Sequence, residues 1–113
     1  MDKIKFKKDR IEGAIYYDVF YQSGSIRLWI SDENPRKLFL SNLMVQPEDR
    51  NKGIGKALLD YSEKAAKRLG MKRIALKVRK DSWMENWYKR IGYQEDYIWD
   101  EQERIVKYLH KDI

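Results

Sequence analysis

Up to Val45 the pattern of polar and apolar residues, broken by turn-forming clusters, reads as strands. Lys3–Lys8 alternates weakly. Ala14–Tyr21 is rich in aromatic and β-branched residues, and within Ser25–Ser31 the side chains Ile26, Leu28 and Ile30 share one face. Lys37–Val45 predicts a fourth strand, stopped by Pro47. Turns are expected at Gln22-Ser23-Gly24-Ser25, with Gly24 free to adopt a positive φ, and at Asp32-Glu33-Asn34-Pro35. Together these make an antiparallel meander.

After Gly53 the period changes. Ile54, Ala57, Leu58, Tyr61, Ala65 and Leu69 recur at gaps of mostly three and four, the stripe of an amphipathic helix, and Gly70 is placed to end it. Ile74, Leu76 and Val78 then alternate with basic residues as a strand. Asp81-Ser82 caps a second helix carrying Trp83, Trp87, Tyr88 and Ile91, which Gly92 terminates. Tyr93–Trp99 and Arg104–Leu109 predict a closing hairpin around Asp100-Glu101-Gln102-Glu103. The order β-β-β-β-α-β-α-β-β is α+β, with a mixed, mainly antiparallel sheet and two main helices.

Composition narrows the function classes. A chain of 113 residues predicts one domain, 1–113, with a real core. Hydrophobic residues at 42% and charged residues at 37% fit neither a membrane protein nor a solvating tail. The chain has no cysteine, which excludes thiolate metal sites and Cys nucleophiles. Its one histidine, His110, cannot build a multi-His metal site, so no metal is expected. No secretory signal or membrane span is read, and the expected compartment is the cytoplasm. Lys and Arg number 24 against 18 Asp and Glu, a net +6 that favours anionic partners.

One stretch concentrates that preference. In Val45-Gln46-Pro47-Glu48-Asp49-Arg50-Asn51-Lys52-Gly53-Ile54-Gly55-Lys56 a strand ends, a loop holds two glycines, and a helix begins. The first N–H groups of a helix lack internal partners, and the helix dipole adds positive potential there. Glycines at such a bend let a phosphate approach the backbone. The spacing is neither that of a Walker A loop nor that of the dinucleotide fingerprint.

Val-x-Pro-x-x-Arg-x-x-Gly-x-Gly-x-x-Leu-Leu, present from Val45 to Leu59, closely resembles the acetyl-CoA site of the GNAT N-acetyltransferases. A second match supports it: Tyr88, Gly92 and Tyr93 fall in register with that family's later helix and the strand after it. The resemblance implies an acetyl-CoA-dependent enzyme that moves an acetyl group to an amine by direct attack. The acceptor would be a protein lysine, an N-terminus or a small amine. It implies backbone pairing of the pantetheine and acetyl group with Leu43, Met44 and Val45. It places the pyrophosphate on Arg50, Asn51, Lys52, Gly53, Ile54, Gly55 and Lys56. Asp81 stands at a position that contacts the cofactor arm, and Tyr88 stands near the sulfur, where it would serve the departing thiolate. A thiol has a pKa of about 8.5 and a tyrosine about 10, so a stabilising hydrogen bond is the safer role than full proton transfer.

Three departures from the family pattern stand out. Asp81 replaces an Asn, and an ionised Asp cannot donate a hydrogen bond. Ser41 and Asn42 occupy the strand positions where the family often has an acidic general base. The family's helix pair between the first two strands is missing, since only residues 9–13 separate Lys8 from Ala14, so the acceptor groove is expected to be open. Two other functions fit the sequence: a basic nucleic-acid-binding module and a CoA-binding domain without turnover. A monomer or a homodimer is expected, with no membrane partner.

Overall fold

The computed structural model describes residues 4–101 and 104–113. Strands β1 (Lys5–Ile11), β2 (Ala14–Tyr21), β3 (Gly24–Ser31) and β4 (Lys37–Val45) form the expected meander. A short 3₁₀ turn, Pro47–Asp49, leads to helix α1 (Ile54–Arg68), strand β5 (Arg73–Arg79) and helix α2 (Trp83–Arg90). Strands β6 (Gln94–Glu101) and β7 (Arg104–Asp112) close the chain. The seven strands make one sheet in the order β1-β2-β3-β4-β5-β7-β6. Every pairing is antiparallel except β4 with β5. The closing turn at residues 102 and 103 lies outside the described residues, as does Lys3, where the first strand was expected to start.

Both helices lie on one face of the sheet. Leu28, Leu38, Ile74, Leu76 and Leu109 point into it and meet Leu58 and Leu59 of α1 and Tyr88 of α2 in one core. On the same face of β7 as Leu109, Lys107 reaches Glu85 of α2 and Lys111 reaches Glu63 of α1, each at 2.9 Å. The opposite face carries no helix among the described residues. Across it runs a cross-strand row of Tyr16, Trp29, Phe39, Ala75 and His110. Trp29 stacks on Phe39 at 4.3 Å between ring centres. Glu12 and Gly13 alone join β1 to β2, so no helix pair separates them, as the sequence indicates.

Two expectations need correction. The turn after β2 is made by Gln22, at φ 51°, and not by Gly24, which is buried as the first residue of β3. Leu69 lies outside the buried stripe of α1. Leu59 and Ala66 are buried instead, because the helix settles into the sheet rotated from the arc that the spacing picks out. Trp83 of α2 is 64% exposed and lies outside the core. No helix among the described residues is long and apolar enough to cross a membrane.

Candidate active site

The site begins with a defect in β4. Pairing with β3 shifts register between Ser25 and Arg27, and Asn42 opposite takes φ 55°. A bulge of this kind bends the strand. Beyond it β4 leaves β5. The parallel pairing covers only Lys37, Leu38 and Phe39, whereas β5 stays on β7 through Arg79. The end of β4, Leu43 to Val45, therefore has no partner on its β5 side. Among the described residues no strand bonds this edge, and apart from the Val45 carbonyl, which accepts from Arg50 Nε, its backbone groups are open to an extended ligand.

A cavity of about 470 Å³ opens along that edge. Leu43, Met44 and Val45 form one wall, and the loop from Asp49 into the first turn of α1 forms the end. On the other side Trp83, Met84, Trp87 and Arg90 of α2 complete it. Of the residues expected from sequence, all but Lys52, Asp81 and Tyr88 line this cavity. The α2 residues escaped the sequence reading. Their spacing was a usable signal, but an apolar stripe facing a cavity has the same period as one facing a core.

The start of α1 is built for an anion. Gly53 caps it at φ 83°, a left-handed conformation that glycine adopts at no cost, and it has no side chain to satisfy the first N–H groups. The first turn contains no acidic residue and does contain Lys56, the reverse of what the dipole favours when a helix must satisfy itself. A Cβ built on Gly55 would meet only Val45 Cγ2, at 3.9 Å. The protein itself leaves that position room, and glycine keeps the cavity side clear.

The cations are less free than their number suggests. Lys52 pairs with Asp49 at 3.1 Å, and Lys56 pairs with Asp60. Arg50 donates from Nε to the Val45 carbonyl at 3.2 Å, which ties the loop to the end of β4 and leaves its other N–H groups available.

Helix α2 is clamped from behind the cavity. Ser82 caps it by accepting the Glu85 N–H at 3.3 Å, and Glu85 Oε1 accepts the Asp81 N–H at 2.8 Å. Asp81, at φ 61°, thus holds the helix entry through its backbone. Glu85 is buried, and its other oxygen meets Lys89 at 2.8 Å and Lys107 at 2.9 Å. Burial pulls this carboxyl up, but Lys89, the Asp81 N–H and Lys107 outweigh burial and hold it down at about 2. A depressed acid contributes stability above its unfolded value of 4.5, lost as pH falls toward 2. Glu85→Gln should therefore cost about 2 kcal/mol at pH 7, with the gap between variant and parent narrowing below pH 4.5. Denaturant titration at both ends of that range measures it. A gap that does not change with pH would show the clamp to be packing and not charge.

Tyr88 lies on the core side of α2. It is 3% exposed and meets Trp87 and Tyr93 edge-on, at 5.0 and 5.2 Å between ring centres. Burial pushes its phenol well above the usual tyrosine value, so it stays a neutral O–H donor. Among the described residues the carboxylate that lines the cavity, Asp49, is paired with Lys52, and Asp18 is paired with Arg27, opposite Ser41, at 2.8 Å.

The sequence matches the model of the acetyltransferase (GNAT) domain over residues 11–95. The chain belongs to the GNAT acetyltransferase family. It is an acetyltransferase, and the co-substrate of its family is acetyl-CoA. Its fold is similar to that of a Bacillus subtilis acetyltransferase in complex with CoA. That likeness has a TM-score of 0.76 at 18% identity and covers 100% of this chain and 99% of the other. An IAA acetyltransferase from Bacillus cereus gives 0.72 at 16% identity, covering 98% and 100%. The Escherichia coli ribosomal-protein-S18-alanine N-acetyltransferase gives 0.72 at 17%, covering 92% and 72%. The chain spans 66% of the length of a nourseothricin acetyltransferase whose fold it shares. Curated protein sequences yield no match. The groups that line the cavity fit a CoA thioester: an unpaired strand edge for its amide-rich arm and a glycine-capped helix start for its pyrophosphate.

Proposed function

We propose that this protein is a single-domain, cytoplasmic N-acetyltransferase in which an amine attacks acetyl-CoA directly, with no acetyl-enzyme intermediate. The observation that carries this is the divergence of β4 from β5 beside a helix start that no side chain caps. Acetyl-CoA supplies an activated acyl group with a thiolate leaving group. The free edge of Leu43, Met44 and Val45 aligns the pantetheine arm by ladder-type bonds. The first N–H groups of α1, between Gly53 and Lys56, hold the pyrophosphate with Arg50 and Asn51, and Lys52 adds charge beside the loop. Asp81 acts on the cofactor arm only indirectly, by setting the entry of α2 through its bond to Glu85. Tyr88 donates a hydrogen bond where negative charge develops on sulfur.

The acceptor enters from the helix-free face, where no family helix pair walls the groove. An alkyl ammonium is mostly protonated at neutral pH and must lose a proton before attack. With Ser41 and Asn42 in place of an acid, that proton passes to water. In the balanced step the amine nitrogen bonds the acetyl carbon, the carbon–sulfur bond breaks, and sulfur leaves as thiolate and is then protonated.

Incubation with isotopically labelled acetyl-CoA and a panel of small amines, peptides and proteins, read by mass spectrometry, tests the proposal. Label on an amine nitrogen, with one free thiol released per acetyl transferred, is the expected result. Saturable CoA binding with no transfer to any amine would make the site a binding site without turnover.

A further inference from the structure

Two guanidinium groups line the cofactor cavity without a carboxylate partner among the described residues: Arg50 on the loop and Arg90 at the end of α2. The surrounding cations are occupied. Lys52 and Lys56 are paired within the loop and helix, and Lys89, next to Arg90, bridges Glu85 and Glu95. The bridge from Glu85 to Lys107 fastens α2 to β7 and that from Lys89 to Glu95 fastens it to β6, so Arg90 projects from a fixed helix. It stands one turn beyond Trp87 on the stripe of α2 that faces the cavity.

Two separate elements therefore present cationic groups to one cavity, which implies anions at two places on one ligand. Coenzyme A carries a pyrophosphate and, apart from it, a ribose 3′-phosphate. The start of α1 and Arg50 match the first. We infer that Arg90 binds the 3′-phosphate of coenzyme A and makes the site selective for the 3′-phosphorylated cofactor. This rests on the cofactor reading of the cavity given above. A guanidinium suits the role, because its planar fork bonds two phosphate oxygens at once and keeps its charge at any physiological pH.

Calorimetric titration of coenzyme A and of 3′-dephospho-coenzyme A into the parent, Arg90→Ala and Arg90→Lys tests the inference without any acceptor. The parent should bind coenzyme A about tenfold more tightly than its dephospho form, the worth of one exposed charge-assisted contact. Arg90→Ala should lose that preference while holding its affinity for the dephospho form within about twofold, and Arg90→Lys should keep part of it. Equal weakening of both ligands in Arg90→Ala would overturn the inference and assign Arg90 to the pyrophosphate or to the helix. A parent that binds both ligands equally well would overturn it while leaving the cofactor reading intact. A parent that binds neither would overturn both.

Discussion

Gly24→Val should cost about 3 kcal/mol of stability, the upper part of the usual range for overpacking. Gly24 starts β3 directly beneath α1. A Cβ built there would lie 2.7 Å from Ile54 Cγ2, 3.0 Å from Leu58 Cδ1 and 3.2 Å from the Met44 carbonyl oxygen. The first two are buried core side chains and the third is backbone, so none yields without moving an element. For a chain of this size the melting temperature should fall by about 12 °C. The displaced element is the first turn of α1, whose N–H groups end the cavity, so acetyl-CoA binding should weaken in whatever remains folded. Gly24→Ala should show the same pattern more mildly. A Gly24→Val protein melting with the parent would mean that α1 does not sit this close to β3.

That contact marks a boundary of what the sequence reveals. Strands β2 and β4 are legible to the residue, because aromatic and β-branched enrichment between turn signals is a local feature and Pro47 gives a hard stop. The start of α1 is legible for the same reason: Gly53 is a local conformational requirement. Gly24 sits among turn-forming residues and reads as one of them, yet its glycine is demanded by Ile54, 30 positions later. No window along the chain contains that pair. The bulge at Asn42 leaves no mark on the hydrophobic pattern either, although it opens the wedge that makes the site.

The charges divide in the same way. Lys52 with Asp49 and Lys56 with Asp60 are spaced three and four apart, and the spacing alone predicts their pairing. Simple addition of the loop cations overstates the free charge for that reason. The bridge from Glu85 to Lys107 joins residues 22 apart, and only the packing of α2 on β7 brings them together. Arg90 escapes notice beside Lys89 as one of two cations complementing a helix end, until the structure shows that one is paired and the other faces the cavity.

Tyr88→Phe should lower turnover about 10²-fold while leaving acetyl-CoA affinity within about twofold of the parent. The substitution keeps the ring, which is only 3% exposed, and with it the edge-on contacts to Trp87 and Tyr93. Only the hydroxyl is removed. In the proposed site ground-state binding rests on the edge of β4, the loop and the start of α1, none of which the change touches. A hydrogen bond to sulfur strengthens as the carbon–sulfur bond breaks, so its loss falls on the transition state. Burial holds the phenol above its ordinary range, so Tyr88 remains a neutral donor across the working pH. The rate should therefore show no falling limb from Tyr88 as pH rises through neutrality, and the parent and Tyr88→Phe profiles should run parallel there. Single-turnover rates, the acetyl-CoA dissociation constant and the melting temperature, measured together, separate the possible roles. A loss of only about twofold in rate would return Tyr88 to the core as a packing residue. A fall in melting temperature that tracks the fall in rate would assign the hydroxyl to holding α2 against β5 instead of to the chemistry at sulfur.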